Sequence, residues 1–136
     1  MTTRSWGLFE HNEAAEAATA LLAGACVQEV RFQAMSWKFI LGRSDSGRYR
    51  EFHVYSDCEV SADGLNFVDM ERDIAGVMTL LHGLIGKVAQ EVVALGPMYY
   101  RIAFGGKNLI VRDQEKIADN AMVIAECPGG PDIFCG

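Results

Sequence analysis

Three groups of side chains in this sequence have the types and spacing that chemistry needs. The first is a repeated polar pair, Gln28-Glu29 and Gln90-Glu91. Two carboxylates can divide acid–base work if they converge and if the surroundings raise the pKa of one of them. Glu29 and Glu91 would be that pair, although the water-facing side of two equivalent strands is the simpler account of both. The second group is His53, Tyr55 and Asp57, which alternate along one strand-like run. That spacing could present a metal ligand or a proton-transfer group. A wet sheet face produces the same alternation. The third is an acidic stretch in which Asp57, Glu59, Asp63, Asp69, Glu71 and Asp73 stand against the single Arg72. Crowded like charges repel, and a cationic partner would relieve them. A solvated loop leading into a helix accounts for part of the cluster, because Asp69, Glu71 and Asp73 favour the positive end of a helix.

No further machinery is readable. The sequence contains no G-x-G-x-x-G, no G-x-x-x-x-G-K-S/T, no H-E-x-x-H and no G-x-S-x-G. Gly105-Gly106-Lys107 falls between two strand-like runs and reads as a hairpin turn. The cysteines at 26, 58, 127 and 135 form neither a C-x-x-C nor a Cys/His box, and none has an adjacent His. The expectation is a protein without catalysis, cofactor, metal or structural disulfide.

Composition sets the bounds. The chain has 136 residues, half of them apolar, and a net charge of −6. That is enough apolar surface for the core of one domain spanning 1–136. The negative balance speaks against nucleic acid and against an anionic membrane surface, both of which need a basic face. No apolar run approaches the ~20 residues of a membrane span, and the first residues lack the apolar core of a signal peptide. A cytoplasmic protein is expected.

The elements that would carry these residues follow from periodicity. Residues 12–23 read as an alanine-rich helix with Asn12 as N-cap and Gly24 as its stop. Residues 26–32, 37–41 and 49–55 alternate as antiparallel strands. Residues 56–69 read as irregular, with a tight turn at Asp63-Gly64. Ile74, Val77, Met78 and Leu81 give helical spacing over 70–81, with Asp69 as cap. Residues 86–92, 98–104 and 109–111 read as strands, 122–125 as a short strand, and the tail 127–136 as extended or disordered.

The two halves match. Leu22, Gly24, Gln28, Glu29, Val30 and Ile40 recur as Leu84, Gly86, Gln90, Glu91, Val92 and Ile102 at a constant offset of sixty-two. Phe52-His53-Val54 matches Leu109-Ile110-Val111 after a longer loop. The pattern predicts an internal duplication of a helix-plus-three-strand unit, one copy over about 12–56 and one over about 70–118. The fold class is then α+β, with two helices packed on an antiparallel, meander-like sheet or partly closed barrel.

In size, acidity and general build, with its repeated leucine-x-glycine lead into a valine strand, the chain resembles the immunity proteins of bacterial polymorphic and contact-dependent toxin systems. The resemblance implies a protein that binds and occludes a cognate toxin domain, often a basic nuclease. The acidic stretch would then steer the partner and supply part of the contact. A different reading makes the chain a homo-oligomeric or small-ligand-binding module that uses Trp37, Tyr99 and Tyr100 to line a face.

Overall fold

A computed structural model of the chain describes residues 10–115, 118–130 and 132–136. Helix α1 spans His11–Leu22 and buries Ala14, Ala15, Ala18 and Leu22 on one side. Its cap is Glu10, not Asn12. Glu10 is extended, and its carboxylate accepts the Asn12 N–H at 3.0 Å and the Asn12 amide at 2.7 Å. Helix α2 is shorter, Ile74–His82, and starts later than its spacing predicts. Asp73 accepts the Gly76 N–H at 2.8 Å and so caps it. Asp69 closes the turn before it instead, accepting the Arg72 N–H at 2.7 Å.

The strands form two antiparallel sheets. Strands β1 (Cys26–Gln33), β2 (Ser36–Asp45) and β3 (Arg48–Ser56) make one meander, joined by two-residue turns. The short β4 is Glu59–Ser61, inside the stretch that alternation leaves irregular. Strands β5 (Glu91–Gly96), β6 (Tyr99–Phe104) and β7 (Lys107–Arg112) make the second meander, and β8 (Met122–Cys127) and β9 (Asp132–Cys135) follow. The sheet orders are β1-β2-β3-β8-β9 and β4-β7-β6-β5. The sheets do not close into a barrel, because each ends in its own outer strands. In the tail, the described residues turn after Cys127 and return as the extended strand β9, burying Ile133 and Cys135.

Side chains from both sheets meet in one core. Phe39 of the first sheet meets Phe104 of the second edge-on, with centroids 6.1 Å apart. Trp37 and Tyr100 are 1% and 0% exposed, so they build the core rather than line a face. Their polar ends are matched there: Trp37 Nε1 donates to the Cys58 carbonyl at 3.3 Å and the Tyr100 hydroxyl to the Gly136 carbonyl at 2.7 Å. All four cysteines are free thiols.

The offset of sixty-two has a direct structural counterpart. Gly24 and Gly86 follow Leu22 and Leu84 with φ of +87° and +86°, a backbone region that costs glycine little. Cys26 then bridges Val88, its own equivalent. Around that bridge the hydrogen bonds come in related pairs. Gly24 N–H donates to Ala89 O, and Gly86 N–H to Val27 O, both at 2.8 Å. Val27 N–H donates to Lys87 O at 2.9 Å, and Ala89 N–H to Ala25 O at 2.8 Å. An approximate two-fold axis therefore passes between Cys26 and Val88. This junction also explains why β5 begins at Glu91 and not at Gly86: residues 86–89 are already paired with 24–27. The correspondence slips further on, where a register shift falls between Val27 and Glu29 in one copy and between Ala94 and Gly96 in the other.

The strands after each meander are exchanged. β4 follows the first meander but pairs with β7 of the second, while β8 follows the second and pairs with β3 of the first.

Candidate functional site

The exchange of β4 gathers the acidic stretch. β3 ends at Ser56, whose hydroxyl donates to the Ala121 carbonyl at 2.6 Å and accepts the Cys58 N–H at 2.9 Å. This turn buries Cys58 and leaves Asp57 exposed. β4 then places Glu59 opposite Arg112 of β7. The result is a groove of about 730 Å³. Asp57, Glu59, Asp69 and Glu71 line it, joined by Asp113 and Glu115 from the segment after β7. Among the described residues, six carboxylates there face two guanidiniums, those of Arg72 and Arg112.

The groove walls differ in how firmly they are held. Arg112 Nε donates to Glu59 at 2.8 Å, its Nη2 to Gln114 at 3.1 Å, and its guanidinium lies 3.7 Å over the Phe67 ring. That side chain is fixed by charge, hydrogen bond and stacking together. Asp69 is committed to its turn, and Asp113 accepts the Ala118 N–H at 2.6 Å. Glu71 and Glu115 are exposed, with no hydrogen bond to another described residue. The chemistry on offer is a field of carboxylates, part fixed and part free to turn, suited to a cation. Burial pushes the pKa of the Cys58 thiol in the wall up to about 12, which favours the protonated thiol over the thiolate.

Two of the six expected carboxylates lie outside the groove. Asp63 organises its own turn. It accepts the Leu65 and Asn66 N–H groups and the Asn66 amide, each at 2.8 Å, and the Ser61 hydroxyl at 2.9 Å. The Asn66 and Leu65 N–H groups, aimed at the anion, hold its carboxyl well below the usual range. Asp73 is the cap of α2.

The other constellations are dispersed. Glu29 lies on β1 of one sheet and Glu91 on β5 of the other. Glu29 is held low by its hydrogen bond to Arg31, the reverse of what a general acid needs. His53 faces Tyr55, with ring centroids 6.0 Å apart, but Asp57 lines the groove. The carboxylate that meets His53 is Glu51, at 2.7 Å from Nε2. Among the described residues, no three His, Cys, Asp or Glu side chains converge as a metal ligand set.

Asp113, Glu115 and Arg112 were invisible as site residues in the sequence. They lie some forty residues beyond the acidic stretch, and only the β4–β7 pairing brings them to it. The repeat itself was the available signal, since a strand following one copy can pair into the other.

Comparison with protein families, with curated proteins and with solved structures yields no match. Among the described residues, no helix is long and apolar enough to cross a membrane.

Proposed function

We propose that the chain is a protein-binding domain whose groove receives a basic segment of a partner, in the manner of an immunity protein that occludes a toxin domain. The observation that carries this reading is the gathering of Asp57, Glu59, Asp69 and Glu71, with Asp113 and Glu115, around one 730 Å³ recess. Six carboxylates crowded in this way repel one another. Among the described residues two guanidiniums offset part of that, and one of them, Arg112, is already engaged with Glu59. Cationic side chains entering the recess would relieve the rest. The acidic field would also raise the rate of encounter with a basic surface. The function is non-catalytic and cytoplasmic, and its ligand is a protein rather than a nucleic acid.

The test is affinity capture from the source cell with two baits, the wild type and a variant carrying Asp57→Asn, Glu71→Gln and Glu115→Gln. None of these three carboxylates bonds to the backbone of a described residue, so the fold should be retained. The expected result is a basic partner held by the wild type and lost from the variant. A partner held equally by both baits would remove the groove from the account.

A further inference from the structure

The approximate two-fold relating the two halves also fails where the helices meet the outer strands. In one half, α1 lies along the outer side of β5. Thr19 Oγ1 accepts the Val92 N–H at 2.8 Å and lies 3.0 Å from the Val92 carbonyl, so the helix satisfies that edge. At the same offset of sixty-two, Thr19 becomes Leu81 and Val92 becomes Val30. Leu81 is fully buried and has no donor or acceptor to offer. α2 touches β1 through the His82 ring, edge-on to Phe32 at 5.6 Å. Beyond β2, and among the described residues, the backbone of β1 is bonded only at its start, where Val27 meets Gly86 and Lys87. The Gln33–Ser36 pair closes a two-residue turn. Alternation from that pair turns the N–H and C=O groups of Val30 and Phe32 away from β2. No described residue bonds to them. Such an edge is a template for another strand.

The sequence of β1 is complementary to itself. Two copies running antiparallel and centred on Val30 would set Glu29 of each opposite Arg31 of the other. Both side chains are exposed and stand on the same outer face of the sheet, where cross-strand pairs of opposite charge are favourable. We propose that the free edge of β1 is a homodimer interface, in which a second copy of this chain pairs antiparallel across Val30 and joins the two five-stranded sheets into one. The symmetry is isologous, so one strand serves both sides. This inference does not rest on the groove.

Sedimentation of the full chain tests it. The wild type should form a reversible species of twice the 14.9 kDa chain mass. Glu29→Arg sets cations opposite cations, and Arg31→Glu sets carboxylates opposite carboxylates, so each variant alone should sediment as a monomer. An equimolar mixture of the two variants should restore the dimer, because an all-cationic edge then meets an all-anionic one. Pairing of Glu29 with Arg31 inside one chain cannot produce that rescue. Val30→Pro removes an outward N–H at an edge position that tolerates proline, and should give a folded monomer by circular dichroism. If that variant fails to fold, the charge series decides alone. A wild type that stays at 14.9 kDa at every concentration, a dimer that survives both charge changes, or a mixture that stays monomeric would overturn the proposal.

Discussion

Asp63 and Asp57 look alike in the sequence, but the structure gives them different work. Asp63 holds a turn together, whereas Asp57 is exposed at the groove with a weak thiol contact from Cys58 at 3.6 Å. Asp63→Asn should therefore lower the urea midpoint at neutral pH, while Asp57→Asn should leave it nearly unchanged. The pH dependence has a definite sign. The folded-state pKa of Asp63 is depressed, so its stabilisation is full above the unfolded-state value of about 3.9 and is lost as pH falls below it. Between about pH 4 and pH 2 the wild type should lose more stability than Asp63→Asn does, as read from denaturation midpoints across that range. Equal losses would show that the turn does not depend on the anion. Residue types were legible in the sequence at this scale. Residue roles were not, because a carboxylate that caps a turn and one that faces a groove differ only in which N–H groups lie within reach.

The helices and most strands follow from local pattern. Alternation found β1, β2, β3, β6 and β8, and spacing found both helices. The boundaries that moved did so for identifiable reasons. Asp73 captured the cap that Asp69 was expected to supply, and the pairing of 86–89 with 24–27 delayed β5. Asp73→Ala should thus cost about 1 kcal/mol of stability through the lost cap. At the other helix, Thr19→Val removes the partner of the Val92 N–H and C=O inside a partly buried contact. It should cost about 1–3 kcal/mol. Thr19→Ser, which keeps the hydroxyl, should recover most of it. Chemical denaturation measures all three. A neutral Thr19→Val would mean that α1 is held to β5 by its apolar face alone. Neither β4 nor β9 was legible: β4 is three residues long, and β9 follows a Pro/Gly-rich turn whose composition suggests no strand beyond it.

At the scale of the whole molecule, the repeat announced two similar units, and the axis between Cys26 and Val88 is its physical form. The exchange of β4 and β8 could not be read from composition or periodicity, since both describe a strand without naming its neighbour. Yet that exchange makes the groove. It carries Glu59 to Arg112 and sets Asp57, Asp69 and Glu71 beside Asp113 and Glu115. An acidic stretch that is merely contiguous in sequence thereby becomes a recess with walls from both halves. Asp113 and Glu115 line the groove with Asp57, Glu59, Asp69 and Glu71, and Asp63 and Asp73 lie outside it.

The central claim is that this recess recognises a basic protein through its charge. Its most direct test is the association rate of the captured partner at two salt concentrations, for the wild type and for the Asp57→Asn, Glu71→Gln, Glu115→Gln variant. Exposed charges are screened over about 10 Å at 0.1 M salt. The wild-type rate should therefore fall steeply as salt rises, and the variant should associate more slowly at low salt with a shallower dependence. Equal on-rates and equal salt slopes for the two proteins would contradict the claim and leave the groove a solvated surface.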